Sequence, residues 1–317
     1  MNRNNLLNIG VKKKLPYKKN IPITFLSNYN SKILKKPNWI KTKLPISFKK
    51  IQHIMSILRK YNLHTVCEQA LCPNLTECFH QGTATFMILG SICTRRCPFC
   101  AVDHGKPSFV NKDEPAFLAK AIFDMKIRHV VITSVVRDDL EDRGARHFSN
   151  CIQAIRQNKN VTIEILVPDF RGVMKKSCKI ISISPPDIFN HNLENVPRLY
   201  KLIRPGASYK NSLQLLEYFK KLNPNVPTKS GLMLGLGETY KETMNVMKDL
   251  LSHGVTILTI GQYLQPSLDH FPVQKYITPN EFQEIKKEAL SFGFKKVFCG
   301  SLVRSSYHAE EQFNCAN

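Results

Sequence analysis

Thr85-Phe86-Met87-Ile88-Leu89-Gly90-Ser91-Ile92-Cys93-Thr94-Arg95-Arg96-Cys97-Pro98-Phe99-Cys100 is the stretch on which the fold turns. Its first five residues are mostly apolar, a composition that suits a buried strand. Its last eight carry three cysteines spaced C-x3-C-x2-C. Further strand-like runs follow at His129–Val136, Thr162–Val167, Asp187–His191, Lys229–Leu234 and Thr256–Gln262. Helical periodicity lies between most of them, at Glu114–Lys126, Ala145–Gln157, Ser212–Leu222 and Glu238–His253, and again at Pro279–Phe292. Alternation of strand and helix implies a parallel sheet. Six such units within about 200 residues fall short of the eight-unit barrel of about 250 residues. The expected fold class is therefore α/β, a partial (β/α)6 TIM-like barrel. Chemistry in such a fold gathers at the C-terminal ends of the strands, and the cysteine run stands there, directly after the first strand.

Working outward, another triplet, the first in chain order, precedes the first strand: Cys67, Cys72 and Cys78, spaced C-x4-C-x5-C. Cys151, Cys178 and Cys299 are scattered through partly apolar contexts and suit small core positions, and Cys315 lies in the tail. Two triplets are an odd arrangement for zinc, which takes four protein ligands in a structural site. They suit two cubane iron–sulfur clusters, each held by three thiolates with one iron left open. The alternative for the later triplet is a zinc knuckle completed by His104. The apolar stretches, such as Val130–Val136, are too short to span a bilayer, and no secretory signal is visible near the start. A reducing, cytoplasmic setting is expected, where clustered cysteines serve as ligands rather than disulfides.

The net charge of +22 is uneven: residues 1–50 hold twelve Lys and Arg3 and no acidic residue. No nucleic-acid recognition motif accompanies this charge, so it reads as compositional bias and solvated surface. The chain divides into a basic, loosely ordered extension (1–35), an N-terminal cluster-binding arm (36–84), the barrel (85–295) and a closing C-terminal segment (296–317). Trp39 is expected to pin the arm, and Ser47–Tyr61 to form a helix.

The C-x3-C-x2-C spacing with Phe99 before its last cysteine resembles the signature of the radical S-adenosylmethionine (SAM) superfamily. That resemblance implies a 4Fe–4S cluster on Cys93, Cys97 and Cys100 whose open iron chelates SAM. One-electron reduction then cleaves SAM to methionine and a 5′-deoxyadenosyl radical. The first triplet, Gly82–Gly90, Val167–Gly172, His191–Glu194, Lys229–Glu238, Gly261–Pro266 and Arg304-Ser305-Ser306-Tyr307-His308-Ala309 together resemble the lipoyl synthase family, over roughly residues 36–312. The family resemblance implies a sulfurtransferase that inserts sulfur at C6 and C8 of an octanoyl chain amide-linked to a carrier lysine. It further implies a second, auxiliary 4Fe–4S cluster on Cys67, Cys72 and Cys78, consumed as the sulfur source. The resemblance also implies that the fourth ligand of that cluster is a serine of the R-S-S-Y motif, placed on Ser306 with Ser305 as the runner-up. The implied partners are octanoylated carriers (lipoyl domains of 2-oxoacid dehydrogenases, the glycine cleavage H protein), an electron donor such as flavodoxin or ferredoxin, and an iron–sulfur carrier. Neither membrane nor nucleic acid is expected. The competing readings are another radical SAM sulfur-inserting enzyme, of biotin synthase or methylthiotransferase type, and a zinc-bearing nucleic-acid binder.

Polar residues at expected strand ends are candidates for the SAM pocket: Thr133, Ser134, Asn192, Glu194, Arg204 and the turn Gly235, Gly237, Glu238. Arg204 suits a carboxylate. The glycine turn reads equally as an ordinary strand-to-helix connection. One departure from the family pattern stands out: Thr133-Ser-Val-Val136-Arg-Asp-Asp-Leu140 carries Val136 where the resemblance expects Asp.

Overall fold

The computed structural model describes residues 34–42, 48–80, 84–157, 161–307 and 309. The basic extension lies almost wholly outside these residues, as do His308 and Cys315. Among the described residues eight strands form one sheet in sequential order. They are β1 (His64–Thr65), β2 (Thr85–Ile88), β3 (His129–Ser134), β4 (Thr162–Leu166), β5 (Ile188–Asn190), β6 (Thr228–Leu234), β7 (Ile257–Gln262) and β8 (Lys296–Gly300). β1 pairs antiparallel with β2 and every later pairing is parallel. The order begins at β1 and ends at β8 without closing, so the sheet is an open barrel.

All six expected strands form, β5 directly after Pro185 and Pro186. The sheet also takes in a seventh parallel strand, β8, from within the expected closing segment. The helix Met174–Ile181 between β4 and β5 is a further addition. Ile40, not Trp39, anchors the arm: Ile40 is fully buried whereas Trp39 is 46% exposed.

Local sequence accounts for the outer helices. Ala145–Arg156 buries Phe148, Cys151, Ile152 and Ile155, one stripe at helical spacing. Thr278 accepts a hydrogen bond from the Glu281 amide while the Glu281 side chain returns to the Thr278 amide, so Pro279–Phe292 starts on a capping box. It stops at Gly293, whose φ of 111° suits glycine. Among the described residues no helix is long and apolar enough to cross a membrane.

The two faces of the sheet differ. Ile132, Ile163, Ile165, Phe189, Leu258 and Ile260 alternate toward the helices and are buried. The other face is polar for a protein interior: Glu164 takes Lys229 Nζ at 2.9 Å and Asn190 Nδ2 at 2.9 Å, and all three are buried. Burial pushes the Glu164 carboxyl up, but Lys229 and His129 outweigh it and hold the group below the usual carboxylate range. On β6 and β7 the inner face carries Gly231 and Gly261, which leave room for the chain after β8.

Candidate active site

Leu89 follows β2 in the left-handed region, φ 67°, which disfavours a side chain that large. Three neighbours hold it there. The Leu89 amide donates to Glu114 Oε2 at 2.9 Å, and Arg137 Nη1 donates to its carbonyl at 3.1 Å. A Cβ on Gly144 would meet Leu89 Cδ1 at 2.4 Å, so only glycine lets that side chain lie down. The chain then turns into the loop bearing Cys93, Cys97 and Cys100. Arg137 Nη2 also donates to Ser108 O at 3.1 Å, so one buried guanidinium clasps both ends of this loop.

Inside the loop, Arg95 donates to both oxygens of Asp138 (2.7 and 2.9 Å) and both of Asp169 (2.7 and 2.8 Å). Arg95 holds the Asp169 carboxyl below its ordinary range despite burial. The Val136 carbonyl accepts from the Thr94 amide and from Thr94 Oγ1, both at 3.0 Å. Position 136 therefore supports the loop through its backbone, and the expected Asp is not needed for that contact. The opposite wall is the segment after β7: Phe271 N donates to Pro98 O at 2.9 Å. Arg95, Arg137 and Asp169 escaped the sequence analysis because an ion pair between distant loops has no local periodicity. The one local signal was an arginine placed between two candidate ligands.

The candidate pocket residues separate into two groups. Arg204 and Glu194 lie close enough to Cys97 to act on its thiol, which burial pushes up to about 12, Arg204 opposing. Arg204 Nη1 donates to Asn192 O and Leu193 O and to the Tyr200 hydroxyl (3.0, 3.2 and 3.0 Å). Glu194 sits at φ 69° between β5 and β6, its carboxyl raised by burial. The turn residues serve themselves. Glu238 accepts from the amides of Gly235 and Leu236 at 2.5 and 3.0 Å and from Asn195 Nδ2 at 3.0 Å. Gly235 and Gly237 have φ of 100° and 106°. Thr133 Oγ1 donates to Leu166 O at 2.9 Å, whereas the buried Ser134 Oγ has no partner among the described residues.

The earlier triplet builds a separate site. Cys67, Cys72 and Cys78 line one cavity with Asn74, Thr85, His129, Arg304 and Ser306. Short helices at Val66–Gln69 and Leu75–His80 carry Cys67 and Cys78, and Thr65 caps the first by accepting from the Glu68 amide. Burial pushes the Cys67 thiol up to about 12 and raises Cys72 too, the latter opposed by Arg304. The two serines of Arg304-Ser305-Ser306-Tyr307 part company. Ser305 Oγ donates to Asn192 Oδ1 at 2.8 Å, on the β5 side of the barrel. Ser306 lines the triplet's cavity and accepts from Thr85 Oγ1 at 2.7 Å. Asn74 Nδ2 donates to Leu302 O at 2.7 Å and the Tyr307 hydroxyl to Glu77 Oε1 at 2.9 Å. Thr85 and Asn74 were not singled out in the sequence, the first hidden as a strand residue and the second inside the triplet loop. Among the described residues no three His, Cys, Asp or Glu side chains are grouped to hold a single metal ion.

Residues 87–250 match the radical SAM superfamily, and residues 11–72 match the N-terminal domain of lipoyl synthase. The lipoyl synthase of Buchnera aphidicola subsp. Baizongia pistaciae is 77% identical over 293 residues, 92% of this chain and 93% of its own. That of Wigglesworthia glossinidia brevipalpis is 60% identical over 309 residues, covering 97% and 98%. Among solved structures, Streptococcus suis SuiB bound to S-adenosylmethionine aligns with a TM-score of 0.53 at 12% identity, covering 72% of this chain and 53% of that one. The hydrogenase maturase HydG aligns with a TM-score of 0.51 at 14% identity, covering 82% and 70%. These two likenesses are of fold.

Proposed function

The chain belongs to the lipoyl synthase family of the radical SAM superfamily, and from that premise we propose that it converts a protein-bound N6-octanoyl-lysine to lipoyl-lysine by inserting sulfur at C6 and C8. Membership of the superfamily brings a 4Fe–4S cluster and SAM, and the family brings a protein substrate. Cys93, Cys97 and Cys100 are the ligands we assign to the SAM-binding cluster. To Cys67, Cys72, Cys78 and Ser306 we assign the auxiliary cluster. The donor sets fit: Cys93 and Cys100 lie near enough to Cys97 to act on its thiol, and Cys67, Cys72 and Cys78 share one cavity with a hydroxyl oxygen. Bound there, these groups supply a carbon-centred radical able to take hydrogen from an unactivated C–H bond, and the sulfur that replaces it.

The protein's own residues have defined tasks in this reading. Arg95, Arg137 and the Val136 carbonyl fix the loop of the SAM-binding cluster, where a misplacement of about 1 Å can cost about 10²-fold in rate. Arg204 offers positive charge beside Cys97 for an incoming carboxylate. Asn192, Glu194 and Thr133 shape the pocket wall. Gly235, Gly237 and Glu238 form a stapled turn at the β6 end. The arm (36–84) and the closing segment (296–317) bring their ligands together across the barrel (85–295). Among carriers we favour lipoyl domains of 2-oxoacid dehydrogenases and the glycine cleavage H protein. Flavodoxin or ferredoxin would supply electrons, and an iron–sulfur carrier would rebuild the spent cluster. The basic surface suits an acidic carrier, with docking that weakens as salt rises.

One observation carries the reading: Ser306, more than 220 residues from the first triplet, lines that triplet's cavity. The test is anaerobic reconstitution followed by iron, sulfide and product assay. About eight irons per chain, matching two 4Fe–4S clusters, and lipoyl product from an octanoyl-lysine peptide are expected. Zinc without sulfide, or SAM cleavage with no thiolated product, would overturn it.

A further inference from the structure

Ser306 hangs between two anchors. Asn74 holds Leu302 on one side, and Glu77 accepts from Tyr307 on the other. Neither touches Ser306 itself. The hydroxyl of Thr85 does, donating to Ser306 Oγ at 2.7 Å from the first residue of β2. Thr85 is buried, 4% exposed, which shields that bond from bulk solvent. Its amide and hydroxyl also lie against the Cys67 thiol. One side chain thus touches two members of the cavity wall that reach it from opposite ends of the chain. Asn74 adds a second oddity: it is 1% exposed, lines the same cavity, and its Oδ1 has no partner among the described residues. Turning the amide over to use that oxygen would release Leu302.

We propose that Thr85 and Asn74 are positioning residues that set Ser306 on the first triplet, Thr85 by its hydroxyl and Asn74 by pinning the segment that carries the serine. This rests on the assignment of Ser306 as the auxiliary cluster's fourth ligand. Without the Thr85 hydroxyl, Ser306 loses a buried donor, the one it has among the described residues, and spends more time away from the cavity. An open iron corner is then exposed to chelator.

The experiment uses the full chain with Cys93, Cys97 and Cys100 changed to Ala, so that one cluster forms. Chelator-driven iron loss is followed by absorbance, and the iron site by Mössbauer spectroscopy. Thr85→Val should speed iron loss about fivefold, the equivalent of one hydrogen bond. Asn74→Ala should act in the same direction, and Thr85→Ser should behave as the parent. Ser306→Ala should also speed loss, and Thr85→Val added to it should change nothing further. Parental rates in both Thr85→Val and Asn74→Ala, with Ser306→Ala fast, overturn the positioning role and leave the ligand assignment standing. A Ser306→Ala rate equal to the parent overturns the ligand assignment instead. Acceleration by Thr85→Val in the Ser306→Ala background places its action on Cys67 and overturns the proposal. If Thr85→Val fails to take up iron, Asn74→Ala and its combination with Ser306→Ala decide on the same terms.

Discussion

Gly261→Ala tests how the closing segment reaches its place. A Cβ at Gly261 would stand 2.1 Å from the Val303 carbonyl oxygen, 3.1 Å from the Val303 carbonyl carbon and 3.1 Å from Arg304 Nη1. The first two obstacles are backbone atoms and cannot swing aside, so the segment must retreat by more than an ångström. Overpacking of this kind costs about 1–3 kcal/mol. Among the hydrogen bonds that hold the segment are Asn74 to Leu302, Ser305 to Asn192, Thr85 to Ser306 and Tyr307 to Glu77. At about 1 kcal/mol each they can absorb the strain only by breaking in part. The fold should survive, with Ser306 displaced. A misplacement of about 1 Å can cost up to about 10²-fold in rate. Lipoyl product from an octanoyl-lysine peptide should therefore drop by about tenfold or more, while 5′-deoxyadenosine continues to form. Gly231→Ala serves as the graded control. Its Cβ would meet the side-chain ends of Asn192, Ser305 and Thr259 at 2.6–2.9 Å, and these can rotate, so the loss should be smaller. Undiminished product from Gly261→Ala at parental iron content would show that the segment's seat is irrelevant to the auxiliary site.

Cys97→Ala should abolish SAM cleavage, and Cys67→Ala should abolish product while leaving cleavage intact; the reverse pattern in anaerobic turnover would exchange the two triplets' roles. Arg95→Met leaves the buried Asp169 carboxylate without its partner, at a cost of about 3–5 kcal/mol, read as a lowered denaturation midpoint together with lost iron at the Cys93 site. Val136→Asp should leave the SAM dependence of turnover unchanged, because position 136 acts through its carbonyl; a large fall in the apparent KM for SAM would contradict this. Burial, aided by Arg204, depresses the His191 pKa from 6.5 to about 4. The unfolded chain therefore binds a proton that the folded chain refuses, and His191's contribution is whole above pH 6.5 and shrinks as pH falls toward 4. At pH 5 the loss amounts to about 2 kcal/mol. A His191→Gln variant should lose that part of the slope between denaturation midpoints at pH 7 and pH 5, and an unaltered slope would refute the assignment.

The amino-acid order alone determined the chemistry available and the local elements that present it. Runs such as His129–Ser134 have an apolar, β-branched centre (Val130, Val131, Ile132), helices such as Pro279–Phe292 carry their start and stop signals in sequence, and cysteine spacing defines loops that close within a few residues. These are short-range relations, and short-range relations can be read from a string. β8 was absorbed into the expected tail because, at five residues, its membership of the sheet is settled by pairing with β7 rather than by its own pattern. Two adjacent serines, chemically identical, likewise cannot be told apart by composition or period. Tertiary structure parted them: the segment crosses the Gly261 inner face, one hydroxyl turns to Asn192, and the other meets Thr85 beside three thiols. The same holds for Arg95 with Asp169, 74 residues away, and Asn74 with Leu302, 228 away. Such pairs form only when the barrel has closed loops of that length, so what they bring together belongs to the packing of the whole chain and not to any stretch of it.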